Sequence, residues 1–159
     1  MWSNVIAVLG TLAGCLLTGG VQARVARIER REIRWEARRT AALDAVTALV
    51  EALANHRTAM FVLEDRRLSG ADADAVEEAL QASHVTRSAV TNPLTRLCIV
   101  TPGLAKPARQ AAKAAYAMRQ STDADVLEAR RRGAVEASDR LVKAAAELFA
   151  AVGGVVEVA

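Results

Sequence analysis

Hydrophobic residues along most of this chain recur with the spacing of α-helices. Between Val21 and Ser69 the chain holds neither glycine nor proline, so nothing local ends a helix there. In the second half of this stretch, apolar side chains alternate by four and three residues, the spacing of a helix face packed against other helices. The residues of this predicted buried seam are Ala42, Val46, Leu49, Leu53, His56, Met60 and Leu63.

Further helices are predicted beyond this one. Asp72 or Asp74 can cap the next helix, and Asn92-Pro93 is expected to interrupt it because proline lacks the N–H that a helix interior needs. Helices are predicted over residues 72–91 and 107–120, with a short helical run over 94–100 between them. A last helix is predicted to start at a capping sequence, residues 122–125, and to run to residue 152. Their predicted inward-facing residues are Val76, Leu80, Ser83, Val90, Ala108, Ala111, Ala112, Ala115, Met118, Ala134, Ser138, Leu141, Ala145, Leu148 and Val152.

The first 23 residues contain no Asp, Glu, Lys or Arg. Residues 5–23 form an uncharged, mostly apolar segment, and as a helix this segment would reach roughly 28 Å, close to the hydrocarbon thickness of a bilayer. We therefore predict a transmembrane helix over residues 1–23. A secretory signal peptide is disfavoured because the residues ahead of the apolar run, Met1-Trp2-Ser3-Asn4, include no basic side chain.

A lipoprotein signal is the second interpretation of this segment. Leu12-Ala13-Gly14-Cys15 resembles a bacterial lipobox, whose cysteine is lipidated after cleavage. However, no basic residue precedes Cys15, and apolar sequence continues beyond it, whereas a lipoprotein usually turns polar soon after its cysteine. We interpret Cys15 as a small apolar residue within the span, and an exported lipoprotein anchored through Cys15 remains the alternative.

Seven arginines follow the predicted span: Arg24, Arg27, Arg30, Arg31, Arg34, Arg38 and Arg39. With three glutamates among them, these arginines give residues 24–39 a net charge of +4. The whole chain has a net charge of +3, so the residues outside 24–39 sum to −1. Because Lys and Arg beside a span stay on the cytoplasmic side, we predict a single-pass inner-membrane protein with its N-terminus outside and its C-terminal domain in the cytoplasm. The arginines are predicted to bind the anionic membrane surface. Direct nucleic-acid binding is disfavoured, since only Trp35 offers a stacking ring there.

Small residues on the predicted span indicate self-association. Gly10 and Gly14 form a GxxxG pattern, which Thr18 extends on the same helix face. Small side chains four residues apart let two membrane helices approach closely. The sequence therefore predicts a homo-oligomer whose spans associate through these three residues; its other protein partners are left open.

The composition supports a helical fold throughout. The chain is 52% hydrophobic but only 3% aromatic, and 35 of its 159 residues are alanine, which forms helices well but fills a core poorly. We predict an all-α protein with a transmembrane helix (1–23), a basic helical stalk (24–41), an antiparallel helical bundle (42–152) and a flexible tail (153–159). The apolar seam extends only weakly into the stalk, so a coiled coil there is poorly specified.

No catalytic residue, cofactor or metal site is predicted. Neither a phosphate-binding glycine loop nor zinc-ligand spacing of cysteines is present in the sequence. His56 lies on the predicted seam, where a hydrogen-bonded core histidine is the simpler interpretation. The adjacent pair Glu64-Asp65 points in two directions on a helix and is interpreted as a solvated face rather than as a general acid and base.

Three stretches carry a resemblance to a known family: Met1-Trp2-Ser3 with residues 5–12, residues 54–60 (ANHRTAM) and residues 86–90 (TRSAV). They resemble the KilB-type proteins encoded on conjugative plasmids and integrated elements of filamentous actinomycetes. That resemblance implies a part in plasmid spread between hyphal compartments, and toxicity to the host on overexpression. It assigns no role to individual residues.

The predicted function is therefore that of a non-enzymatic protein of the plasmid-spread type. It is expected to oligomerise at the inner membrane and to present its bundle to transfer or septal machinery. The exported lipoprotein or cell-envelope binding module is the alternative. A holin-like pore is a weaker one, because a single span with a large folded tail is a poor design for a pore.

Overall fold

The computed structural model describes the backbone of residues 2–156 and the side chains of residue 30 and of residues 33–151. Four α-helices and one 3₁₀ turn, with no strand among them, make up the described backbone. The elements are α1 (Trp2–Leu68), α2 (Ala73–Val100), the 3₁₀ turn (Pro102–Leu104), α3 (Ala105–Tyr116) and α4 (Ala124–Val156). The predicted all-α fold class is confirmed.

The chain divides into two compact units between Arg39 and Thr40. In the second unit, the C-terminal part of α1 packs with the three later helices around a shared apolar core. The predicted seam of α1 is confirmed, since all seven of its residues are buried. Leucines from α1, α2 and α4 and the 3₁₀ turn are the largest buried residues of the first core cluster, and the buried residues that α3 adds to it are all alanines: Ala108, Ala111, Ala112 and Ala115.

Short connections reverse the chain direction between successive helices of the bundle. Gly70 adopts a left-handed backbone (φ 72°) after α1, a conformation that costs glycine little because it lacks a Cβ. Asp72 then caps α2 as predicted, its Oδ1 accepting from Ala75 N–H at 2.8 Å. Asp123 caps α4 in the same way, accepting from Val126 N–H at 2.8 Å.

Several predicted helix limits were wrong. Asn92-Pro93 does not interrupt α2, which continues to Val100 with Pro93 inside it; burial of Val90 and Leu97 on either side holds this part of α2 against the core. α3 begins at Ala105, directly after the 3₁₀ turn, and ends at Tyr116 rather than near residue 120. α4 extends to Val156 instead of ending near residue 152.

No helix in the described part of the chain is apolar over a length sufficient to cross a membrane. The predicted span over residues 1–23 and the predicted tail over residues 153–159 both lie outside the residues whose side chains are described.

Candidate functional site

The predicted membrane-binding arginines are exposed wherever their side chains are described. Arg30, Arg34, Arg38 and Arg39 all face solvent, and the guanidinium carbon of Arg39 lies 5.5 Å from the centre of the Trp35 ring. Guanidinium groups in this state are free to approach an anionic surface, and a neighbouring indole ring suits a membrane interface. Arg24, Arg27 and Arg31 lie outside the described side chains, as do Gly10, Gly14 and Thr18.

An apolar groove lies between α1 and α4 of the bundle, with a volume of about 460 Å³. Its walls include Leu43, Val46 and Val50 of α1 and Val142, Ala145 and Phe149 of α4. Leu43 and Val142 are 45% and 46% exposed. Since Glu51 is the one ionisable residue among the described residues lining it, the groove can offer hydrophobic contact but no acid–base pair.

His56 is the polar member of the α1 seam. It is 1% exposed, with Nδ1 3.1 Å from the hydroxyl oxygen of Thr86 on α2 and its ring edge-on to Tyr116 of α3 at 5.3 Å between centroids. The prediction of a hydrogen-bonded core histidine is confirmed. Burial lowers the pKa of His56, and the positive charge of Arg87 lowers it further, against a smaller opposing effect of the Ser83 backbone.

The lowered pKa of His56 predicts a loss of bundle stability in mild acid. An unfolded histidine titrates at about 6.5, so below that pH the unfolded chain binds more protons than the folded chain, and stability falls as pH falls. We expect the urea midpoint to decrease between about pH 7.5 and 5.5, with a slope in unfolding free energy of up to about 1.4 kcal/mol per pH unit. Pulse proteolysis of the full chain in urea measures this midpoint.

The control for this prediction is the exposed His84 of α2. His84→Gln should leave the pH slope intact, whereas His56→Gln should reduce it even if the variant is less stable throughout. A slope unchanged in His56→Gln would contradict the assignment.

The carboxylate of Glu64 accepts hydrogen bonds from the loop between α3 and α4. The prediction that Glu64 lies on a solvated face of its helix was wrong. The side chain is 1% exposed. Oε1 accepts from Gln120 N–H at 3.0 Å, and Oε2 accepts from Ser121 N–H at 3.1 Å and from Arg67 Nη1 at 2.6 Å. Gln120 has a left-handed backbone (φ 58°), which is unfavourable for a residue with a Cβ, so the carboxylate also fixes a strained turn. Its neighbour Asp65 is exposed as predicted.

Comparison with known proteins places this chain in a family. Residues 43–149 match the family described as KilB plasmid transfer protein. This range runs from the first groove residue of α1 to the last groove residue of α4. The chain belongs to this family. It is also 49% identical over 151 residues to Protein KilB of Streptomyces lividans, an alignment that spans 95% of this chain and 100% of the relative.

The resemblance inferred from the sequence is therefore confirmed. The KilB family is named for plasmid transfer and not for an enzymatic reaction. Because the alignment to Protein KilB covers 95% of the chain, it includes most of the uncharged N-terminal segment and the arginines after it. No solved structure matches this chain.

Two features of the KilB-family bundle were missed from the sequence. The role of Glu64 depends on a loop 56 residues further along the chain, which no local pattern reveals. The groove between α1 and α4 uses residues one position beyond the seam, such as Leu43 and Val50. The four- and three-residue alternation of Leu43, Thr47, Val50 and Ala54 is the signal that could have found it.

Proposed function

We propose that the chain is a non-enzymatic, single-pass membrane protein of plasmid transfer. In this proposal it oligomerises at the inner membrane and presents its bundle to transfer or septal partners. Membership of the KilB family supports the plasmid-transfer role. The observation that carries the membrane part is the direct succession of an uncharged segment, residues 5–23, and a cluster of seven arginines.

The charges on the two sides of the segment set the proposed orientation. All the arginines of residues 24–39 follow the uncharged segment and none precedes it, so the bundle stays in the cytoplasm and the N-terminus crosses. The solvent-facing side chains of Arg30, Arg34, Arg38 and Arg39 support contact with anionic lipid, at about 1 kcal/mol for each basic residue near the surface.

Self-association is proposed to run through the small residues of the span. Gly10, Gly14 and Thr18 give two parallel spans a flat surface for close packing. Anchoring in one membrane holds the copies in the same orientation and raises their effective concentration. The α1–α4 bundles are then displayed side by side on the cytoplasmic face.

Charged substitutions in the span are expected to release the protein from membranes. Replacing Leu12 and Leu16 together by arginine adds about 2.5–3.5 kcal/mol for each charge near the centre of a membrane helix, so the double variant should move to the soluble fraction. Fractionation after a carbonate wash measures this, and a reporter fused to the C-terminus should report a cytoplasmic location.

The matched control places the same two charges on exposed positions. Ile33→Arg with Val85→Arg alters two exposed apolar residues outside the span, and this variant should remain in the membrane fraction. Retention of Leu12→Arg/Leu16→Arg in membranes, or a C-terminal reporter found outside the cytoplasm, would count against the proposal.

The alternative of an exported lipoprotein is favoured by one feature, the sequence Leu12-Ala13-Gly14-Cys15. The variant Cys15→Ser distinguishes an exported lipoprotein from a membrane-spanning protein. A lipoprotein loses lipid labelling and membrane retention in this variant, whereas a spanning helix tolerates serine in place of a small apolar cysteine.

A further inference from the structure

The groove between α1 and α4 is an exposed apolar surface on which large and small side chains lie next to each other. Leu43 of α1 and Val142 of α4 line it and are 45% and 46% exposed. Three alanines line it as well: Ala54, Ala145 and Ala146. Projecting side chains beside small ones form the ridges and hollows through which helices pack on one another. A concentrated apolar surface of this kind is typical of an interaction site.

The size of the groove decides what kind of occupant it can hold. Along α1 its lining runs from Leu43 to Ala54, which is roughly 17 Å of helix. Two helices side by side are roughly 20 Å wide, so an occupant covers on the order of 300–400 Å² of this face. A stable complex of two free proteins buries about 800 Å² on each partner. The groove is therefore too small to capture a free protein firmly, but it suits an occupant that a second attachment already holds nearby.

We propose that the groove of one copy packs against the groove of a second copy of this chain. The inference rests on the proposed function, because that function anchors the copies in one membrane and supplies the second attachment. Identical chains that share one orientation present the same surface at the same level. A two-fold axis along the groove then places α1 of each copy against α4 of its partner, in a contact that uses one patch twice.

Charges beside the groove fit this arrangement. Glu51 lines the groove on α1, and Lys143 is exposed directly after the lining residue Val142 on α4. Within residues 33–151 of a single copy, neither Glu51 nor Lys143 forms an ion pair. Packing α1 against α4 of the second copy brings Glu51 next to Lys143 of the partner subunit. An ion pair at the rim of a contact fixes its register and orientation more than its strength.

Cross-linking between differently tagged copies of the full chain, in the membranes of cells that make both, tests the proposal. The two native cysteines are first replaced, as Cys15→Ser and Cys98→Ser. One copy then carries Thr47→Cys and the other Ala146→Cys, at exposed positions that line the groove on α1 and α4. We expect a short bismaleimide to join the two tags at least fivefold more often than it joins a control pair outside the groove.

The control pair carries Ser88→Cys in one copy and Ala82→Cys in the other, at exposed positions of α2. Equal cross-linking of the two pairs in a chain recovered with the membranes would overturn the groove contact and leave the proposed function intact. A Thr47→Cys adduct with a different protein instead of a second copy would overturn it too. Recovery of the chain in the soluble fraction would overturn both, because the groove alone is too small to hold two free copies together.

An exchange of charges tests the register of the contact. Glu51→Lys in both copies should lower the cross-linking of the groove pair at least threefold, and so should Lys143→Glu. The double variant Glu51→Lys/Lys143→Glu restores opposite charges across the contact and should return cross-linking to within twofold of the starting value. Glu77→Lys, at an exposed position of α2, is the matched control and should change it less than twofold. Failure of the double variant to recover would overturn the arrangement of α1 against α4.

Discussion

Replacing Glu64 with alanine is expected to lower the free energy of unfolding of the bundle by about 2–4 kcal/mol. The variant leaves the backbone N–H groups of Gln120 and Ser121 without their acceptor, and each such group costs about 1–3 kcal/mol when it is shielded from water. The charge-assisted bond from Arg67 at 2.6 Å is lost as well. Its contribution is smaller because the Arg67 side chain is 45% exposed to solvent.

Glu64→Gln separates charge from hydrogen bonding at this position. Its amide oxygen can still accept from one of the two N–H groups, so the loss should be about half that of Glu64→Ala. Asp65→Ala changes the exposed neighbour and should stay within about 0.5 kcal/mol of the unaltered chain. Pulse proteolysis in urea on the full chain measures all three, and equal midpoints for Glu64→Ala and Asp65→Ala would contradict the assigned role.

Helix periodicity succeeded where burial follows from local spacing. The seam of α1 and the alanine face of α3 were predicted correctly, because residues three and four apart share one side of a helix whatever lies opposite. Glu64 lies one position after Leu63 of that same seam. Because its side chain is a carboxylate, exposure to solvent was the simpler expectation. Only the loop folded over it, which supplies N–H donors from Gln120 and Ser121, makes burial of this carboxylate favourable.

Pro93 and His56 show that local sequence patterns do not predict the effects of tertiary packing. The missing N–H of Pro93 is a local cost, but burial of Val90 and Leu97 in the core outweighs it and carries α2 onward. His56 was predicted as a buried residue from its spacing alone. The identity of its partners, Thr86 thirty residues away and Tyr116 sixty residues away, depends on tertiary packing.

Leu53→Ala is expected to cost about 3–5 kcal/mol of unfolding free energy, in the upper part of the range for large-to-small changes in a core. Leu53 is fully buried in the cluster that holds Leu49, Leu97 and Leu141. The rest of this cluster is rich in alanine, above all on α3. An alanine side chain is a single methyl group, so side-chain rotation cannot move it into a new cavity. The site can therefore collapse only if whole helices move, and most of the void remains.

Leu43→Ala is the matched control for Leu53→Ala on the same helix. Leu43 is 45% exposed on the wall of the α1–α4 groove, so its truncation leaves no closed cavity and should cost less than about 1 kcal/mol. With a urea m-value of about 1–3 kcal/mol per molar, the two variants should differ in midpoint by at least about 0.7 M in pulse proteolysis of the full chain. Similar midpoints would mean that the alanine-lined core closes around the missing side chain, and that its helices are held less rigidly than their close packing implies.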